Sequence, residues 1–277
     1  MNEQIYDFVS KVWKYYDAKG RHDLPWRQPS KDGVFDPYAI MVSEIMLQQT
    51  QVKRAIIKYD EFLSAFPTIS SLSEAPLASV LKTWSGLGYN RRAKFLWQAA
   101  QDIQAKGNFP QTVDLLVQLP GIGVNTAGAI AVYAFNRPVF FIETNIRTVF
   151  IHHFFEDSDD ITDKQLMPLI EAALQDALER GISPREWHWA LMDYGTHIKQ
   201  AIGNAARRSK TYSKQSKFEG SRRQIRGQVL RILGQRPHQL LELQQLINDE
   251  RLGDVLQTLE GESFISSNDE HYHLGSA

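Results

Sequence analysis

The sequence predicts a protein that is all-α through most of its length, and three observations predict it. Apolar residues recur at the three-to-four-residue step of a helix, as in Val52, Ala55, Ile56, Tyr59, Phe62 and Leu63. Pro67, Gly86, Gly88, Gly107, Pro110, Pro120, Gly121 and Gly123 interrupt such runs at short intervals. No alternating strand pattern appears before residue 260. The same spacing marks helical runs at 77–84, 92–103, 126–135, 166–178 and 187–198. Residues 1–221 therefore read as one helical domain.

The pattern changes near the C-terminus. Residues 205–221 are polar and rich in Ser, Lys and Arg, which is loop composition. Three short helical stretches follow at 222–233, 238–248 and 253–260, then Phe264-Ile265, a polar turn at 266–270, and 271–274. Three helices and a terminal hairpin is the order of a winged helix-turn-helix. Residues 222–277 are accordingly expected to form a small winged-helix-like DNA-binding module, the bland alternative being a helical cap on the main domain.

The 277 residues are 43% hydrophobic and 23% charged, a globular balance that excludes a wholly disordered or fibrous chain. No apolar run approaches the roughly 20 residues of a membrane span. The N-terminus lacks a signal-peptide core, so the expected address is cytoplasmic, with the nucleoid if the cell is bacterial. Cysteine is absent, which excludes disulfides, cysteine nucleophiles and cysteine-bound clusters. Net charge is −1, yet 11 Lys or Arg stand against the single acid Glu219 between Lys199 and Arg236. That basic stretch is either a solvated linker or a phosphate-contacting surface.

The strongest local signal is Leu119-Pro120-Gly121-Ile122-Gly123, between a short helix at 112–118 and a longer one at 125–135. Two glycines let the backbone approach a partner, and the N–H groups at the start of the second helix suit a phosphate oxygen. This reads as a helix-hairpin-helix, a clamp on the DNA backbone. A tight turn between core helices is the alternative.

In order, the chain also carries Leu24-Pro25-Trp26-Arg27, the run from Ser43 through Glu44-Ile45-Met46-Leu47-Gln48-Gln49-Thr50-Gln51 to Val52, Trp84-Ser85-Gly86-Leu87-Gly88-Tyr89, Ile142-Glu143-Thr144-Asn145-Ile146-Arg147 and Ala190-Leu191-Met192-Asp193-Tyr194-Gly195. Over about residues 20 to 200 this resembles the helix-hairpin-helix base-excision DNA glycosylases, and among them the MutY-type adenine glycosylases. The resemblance implies a helix-hairpin-helix glycosylase fold acting as a monomer on double-stranded DNA, with no membrane partner. Its implied reaction is hydrolysis of the N-glycosidic bond of a flipped base, adenine opposite 8-oxoguanine or guanine. Two alternatives stand beside it: another mispaired base, such as uracil or thymine opposite guanine, or a catalytically weak binder of distorted duplex.

Glu44 lies in an apolar and amide stretch, where desolvation favours the protonated form that a general acid needs. The resemblance implies that Glu44 protonates the leaving base and that Gln48, Gln49 and Tyr89 meet the duplex beside it. Glu143 stands where the family has an Asp in an Asp-Gly-Asn-Val pattern. It keeps the negative charge but moves it by about a bond length, a displacement that can cost ~100-fold in rate. Asn145 matches the Asn that orients this carboxylate. Asn125 occupies the place of the Lys that makes other members bifunctional, so no strand cleavage is implied. Asp193 matches an acid at the flipped adenine. Trp26, Arg27, Leu119, Gly121 and Gly123 fall in motifs that meet base or DNA, and Arg207, Arg208 and Lys210 are candidate phosphate contacts.

Many relatives bind an iron–sulfur cluster through four cysteines after the segment matching Asp193-Tyr194-Gly195, and full-length members add a Nudix-like C-terminal domain. Neither is expected here, and no cofactor is expected beyond a monovalent cation compatible with the hairpin. Histidines supply no metal site: His152 and His153 diverge by about 100° on a helix, and His188 and His197 lack a third partner.

Overall fold

The structure, a computed structural model, describes residues 2–268 and 270–275. In chain order it holds α1 (Asn2–Lys19), α2 (Pro37–Leu47), α3 (Val52–Ala65), α4 (Ile69–Ser73), α5 (Leu77–Trp84), α6 (Arg91–Lys106), α7 (Val113–Leu116), α8 (Val124–Phe135), α9 (Thr144–Phe154), α10 (Asp163–Glu179), α11 (Pro184–Ala201) and α12 (Arg222–Leu233). The C-terminal part continues with β1 (His238–Gln239), α13 (Leu240–Leu246), α14 (Leu252–Gly261), β2 (Ile265–Asn268) and β3 (His271–Leu274). No helix among the described residues is long and apolar enough to cross a membrane.

The helices begin and end where side-chain chemistry dictates. Asp36 precedes Pro37, and its Oδ1 accepts the Tyr38 N–H at 2.9 Å, which starts α2. Ser183 accepts the Glu186 N–H in the same way ahead of Pro184 and α11. α6 buries Arg92, Ala93, Leu96, Ala99, Ala100 and Ile103 along one stripe and stops at Gly107 in the left-handed region. α8 is buried continuously from Ala127 to Ala134, as befits a helix that is apolar all round.

The chain divides into two units. The first comprises residues 1–44, 111–118 and 122–214, and the second residues 45–110, 119–121 and 215–277. This departs from the expected boundary after residue 221, because the C-terminal segment belongs with residues 45–110. The anchoring groups explain why. Glu262 pairs with both Arg91 and Arg226, Lys94 donates to the Glu262 carbonyl and lies over the Phe264 ring, and Gly275 sits against Ala78.

Within that segment the order is helix, strand, two helices and hairpin, with the three strands in the order β1-β3-β2 and both pairings antiparallel. This is the winged-helix arrangement. Sequence periodicity missed β1, a two-residue strand too short for any alternation, and merged it into the following helix. Residue 269, in the turn between β2 and β3, lies outside the described residues.

Gly121 makes the hairpin possible. It sits at φ +73°, and a Cβ there would come within 2.6 Å of the Phe95 Cβ. Gly121→Ala is expected to lower unfolding free energy by about 2 kcal/mol, from left-handed strain and the clash together. Urea denaturation measures it, and a change below about 0.5 kcal/mol would show that the turn relaxes freely.

Candidate active site

The first unit brings Glu44 and Glu143 into electrostatic reach of each other. Glu44 lies in the last turn and a half of α2 and keeps part of its surface open. Burial pushes its carboxyl up to about 8, the Glu143 charge adds to the rise, and Arg27 opposes it. Glu143 caps α9: its Oε1 accepts the Asn145 N–H at 2.6 Å and the Ile146 N–H at 3.2 Å. Burial raises this carboxyl too, against the Lys199 charge, the two capping amides and Arg147. One carboxyl is therefore arranged to carry a proton at neutral pH, while the other is surrounded by groups that favour its charge.

Asn145 is held through its side chain. Its Oδ1 accepts from Lys199 Nζ at 2.6 Å, and its Nδ2 approaches Met192 Sδ at 3.8 Å. Asn125, expected among the catalytic groups, has a different place. Its Oδ1 accepts the Ile142 N–H at 3.1 Å, tying the start of α8 to the residue before Glu143. Its acceptor oxygen is thereby engaged by the backbone.

Asp193, Arg27 and Trp26 were expected at the base, and the structure buries all three. Arg27 donates to both Asp193 oxygens at 2.8 and 2.9 Å, and Arg21 adds its backbone N–H at 2.7 Å and its guanidinium. Burial would raise the Asp193 carboxyl, but the Arg27 hydrogen bonds and the two arginine charges hold it below its ordinary value. With five donors on its two oxygens, Asp193 is engaged as the anchor of a buried ion pair rather than presented to a ligand. Arg27 also lies over Trp189, which stacks on Tyr133. The Tyr133 hydroxyl is buried with no hydrogen-bond partner among the described residues, and burial, with the Glu44 charge adding to it, raises it well above its ordinary value.

The basic segment is divided in role. Arg207 and Lys210 are exposed. Arg208 instead donates to the carbonyls of Ile151, Phe155, Glu156 and Ser158, closing the C-terminal end of α9. Lys199, counted with the basic stretch in the sequence, lies on α11 and turns toward Asn145.

The second unit carries the other predicted residues except Gly123, which belongs to the first. Gln49 and Tyr89 are both non-glycine residues in the left-handed region, at φ +55° and +48°. Gln215 Nε2 donates to Gln49 Oε1 at 2.6 Å, and Arg223 Nη1 donates to the Tyr89 hydroxyl at 2.8 Å. Gln48 lies in the same turn, with its carbonyl bound by Arg92. Arg92 is the residue that sequence reasoning missed. Its guanidinium also takes the carbonyls of Ile45 and Met46 at 2.9 and 3.0 Å, and those of Leu87 and Gly88 at 3.2 and 3.1 Å. The available signal was an arginine inside the apolar stripe of α6. Leu119, Gly121 and Gly123 fall at the hairpin, where Leu119 is buried and the two glycines are exposed. No side chain caps α8 at Gly123.

A groove of about 1540 Å³ lies within this unit, lined among others by Gln49, Tyr89, Phe95, Arg222, Arg223 and Arg226. Its basic wall is α12. The third helix of the winged arrangement, α14, exposes Asp254, Gln257 and Thr258 and presents no basic side chain. The positive face of the module is therefore not the helix that its topology suggests.

The model of the "HhH-GPD superfamily base excision DNA repair protein" matches residues 42–175. An adenine DNA glycosylase of Mycolicibacterium smegmatis is 32% identical, over 80% of this chain and 79% of that protein. One of Buchnera aphidicola is 36% identical, over 69% of this chain and 52% of that protein. A solved thermostable thymine-DNA glycosylase shares the fold, with TM-score 0.60 at 23% identity, over 74% of this chain and 92% of that one. The chain belongs to the helix-hairpin-helix family of base-excision DNA repair proteins. It spans about half the length of the Buchnera relatives it matches.

A stability test follows from Glu44. Its carboxyl binds a proton more tightly folded than unfolded, so the folded protein holds the extra proton between the ordinary carboxylate range and about 8. Stability is lost as pH rises through that window. Glu44→Gln removes the loss and is expected to raise the melting temperature by ~3 °C or more at pH 9, with a much smaller gain at pH 5. Equal gains at both values would show that Glu44 ionises normally.

Proposed function

We propose that this chain is a monofunctional DNA glycosylase that releases a flipped, mispaired adenine, opposite 8-oxoguanine or guanine, by hydrolysis. The observation that carries the reading is the unequal carboxyl pair, Glu44 raised to about 8 and Glu143 capping α9 beside Lys199. The adenine DNA glycosylase names of the relatives support the choice of base.

In this reading the bond between the base nitrogen and the sugar C1′ breaks, and its electron pair leaves with the base. Glu44 supplies a proton to the departing purine. The Glu143 carboxylate stabilises the positive charge that develops on the sugar. Water adds to C1′, and its proton returns to Glu44. Asn125 offers no amine to attack the sugar, so the product is an abasic site in an intact strand. The cysteine-free chain has no donors for a cysteine-bound cluster, and the reaction needs no other cofactor. Duplex binding draws on the exposed N-terminus of α8, on Arg207 and Lys210, and on the α12 face.

Glu44→Gln is expected to abolish single-turnover adenine release while leaving duplex affinity within about threefold, since the amide has no proton to give. Borohydride should trap no covalent adduct with the wild-type chain. Undiminished release by the variant, or an adduct at stoichiometric yield, overturns the mechanism. Release of uracil or thymine rather than adenine reassigns the substrate.

Affinity for undamaged duplex is expected to fall steeply with salt, each phosphate contact adding ~0.9 to the log–log slope. Neutralising Arg207, Lys210 and Arg222 together should reduce that slope by up to about 2.7. An unchanged slope in fluorescence anisotropy would remove these residues from the DNA surface.

A further inference from the structure

One face of α11 is built around a single side chain of α9. Met192, Gly195 and Lys199 recur at helical spacing, and all three meet Asn145. A Cβ on Gly195 would come within 2.5 Å of the Asn145 carbonyl oxygen and 2.8 Å of its Cβ, so only glycine permits this approach. The approach brings the half-buried Lys199 ammonium to 2.6 Å from Asn145 Oδ1, which fixes the amide with its oxygen toward the charge. The Asn145 backbone N–H makes the shorter of the two hydrogen bonds to Glu143 Oε1. Lys199, Asn145 and Glu143 thus form one chain of contacts. No carboxylate lies within ion-pair distance of Lys199 among the described residues. Its charge is consequently not neutralised by a nearer partner.

We infer that Lys199 is a positioning residue for base release: it orients Asn145 at the α9 N-terminus and supplies the positive charge that favours a charged Glu143. Glu143 needs such a neighbour, because burial favours its proton, and the Lys199 charge is the largest influence opposing burial. Burial in turn lowers Lys199, which the Glu143 charge offsets. The two groups stabilise each other's charges at a place where each alone would be disfavoured. The link between Lys199 and Glu143 ionisation stands on the contacts above, whereas its consequence for a reaction rests on the glycosylase reading.

The test compares Lys199→Met, Lys199→Gln and Lys199→Arg with the wild-type chain. Carboxyl titration is followed by NMR on protein labelled with 13C-glutamate, the Glu143 signal being assigned by its loss in Glu143→Gln. Without the ammonium, the Glu143 midpoint should rise by about one pH unit or more. Lys199→Gln keeps a donor for Asn145 but not the charge, so it should behave as the methionine variant, and it serves if that variant does not fold. Lys199→Arg should return the midpoint most of the way.

Single-turnover adenine release against pH reads the consequence. Activity requires ionised Glu143, so the acid limb should move upward with its midpoint, slowing release about tenfold per pH unit below both midpoints. The alkaline limb, set by Glu44, should stay in place. A Glu143 midpoint unmoved in folded Lys199→Met and Lys199→Gln overturns the inference, as does an acid limb unmoved while the midpoint shifts. A midpoint that moves as expected in a chain releasing no base from any duplex upholds the ionisation link and overturns the glycosylase reading instead.

Discussion

Keeping two carboxyls largely out of water with different neighbours around each is the constraint on which the first unit is organised. Desolvation pushes both Glu44 and Glu143 toward the protonated form, so the difference between them must come from their neighbours. The arginine beside Glu44 is already committed. Arg27 is bound to Asp193 by two hydrogen bonds, so its charge is largely balanced before it reaches Glu44. Lys199, with no ion-pair partner among the described residues, and the N-terminal amides of α9 that Glu143 caps both act on Glu143.

A different constraint governs the second unit, where two surface turns must hold side chains outward on backbones that L-residues adopt reluctantly. Gln49 and Tyr89 both have positive φ. Arg92 ties the two turns together from below by their carbonyls, and the guanidinium, lowered by burial only to about 10, remains charged at neutral pH. From above, Gln215 and Arg223 bind the same two side chains. Strain in turns of this kind persists only where surrounding contacts over-determine it. The C-terminal segment is thus part of what shapes these turns, and its assignment to this unit is a physical consequence of these contacts together with the Glu262 cluster.

Helical periodicity made most of the fold legible, with α5 and α12 read to the residue. Glu44 was legible because a carboxylate in an apolar and amide stretch declares its own desolvation, whereas Glu143 was legible only through the resemblance of its motif to the family's. Other residues were not, since their type says nothing of the direction in which they point. Arg208 looked like a phosphate contact and closes the end of α9. Asp193 looked available to a base and is enclosed by two arginines. Lys199 belonged by sequence to a basic run and by helical phase to the face that meets Asn145. Long charged side chains carry several ångströms of reach, and only the fold decides where that reach is used.

The extra methylene of Glu143 illustrates the same point at shorter range. Asp, Asn, Ser and Thr are the usual N-caps because their short side chains fold back onto the first free N–H groups. Glu143 achieves the same cap from an extended backbone, at φ −118° and ψ 178°, by turning Oε1 onto the amides of Asn145 and Ile146. The added length is therefore absorbed in the return of the side chain rather than in a displaced helix. Both capping bonds fall on Oε1, so the second oxygen takes no part in the cap. Capping restrains the carboxylate and favours its charge, and the second oxygen remains outside the cap. Asn125 completes the arrangement by holding Ile142, the residue from which the turn into Glu143 departs. A longer side chain is tolerated here because the backbone on both sides of it is tied down.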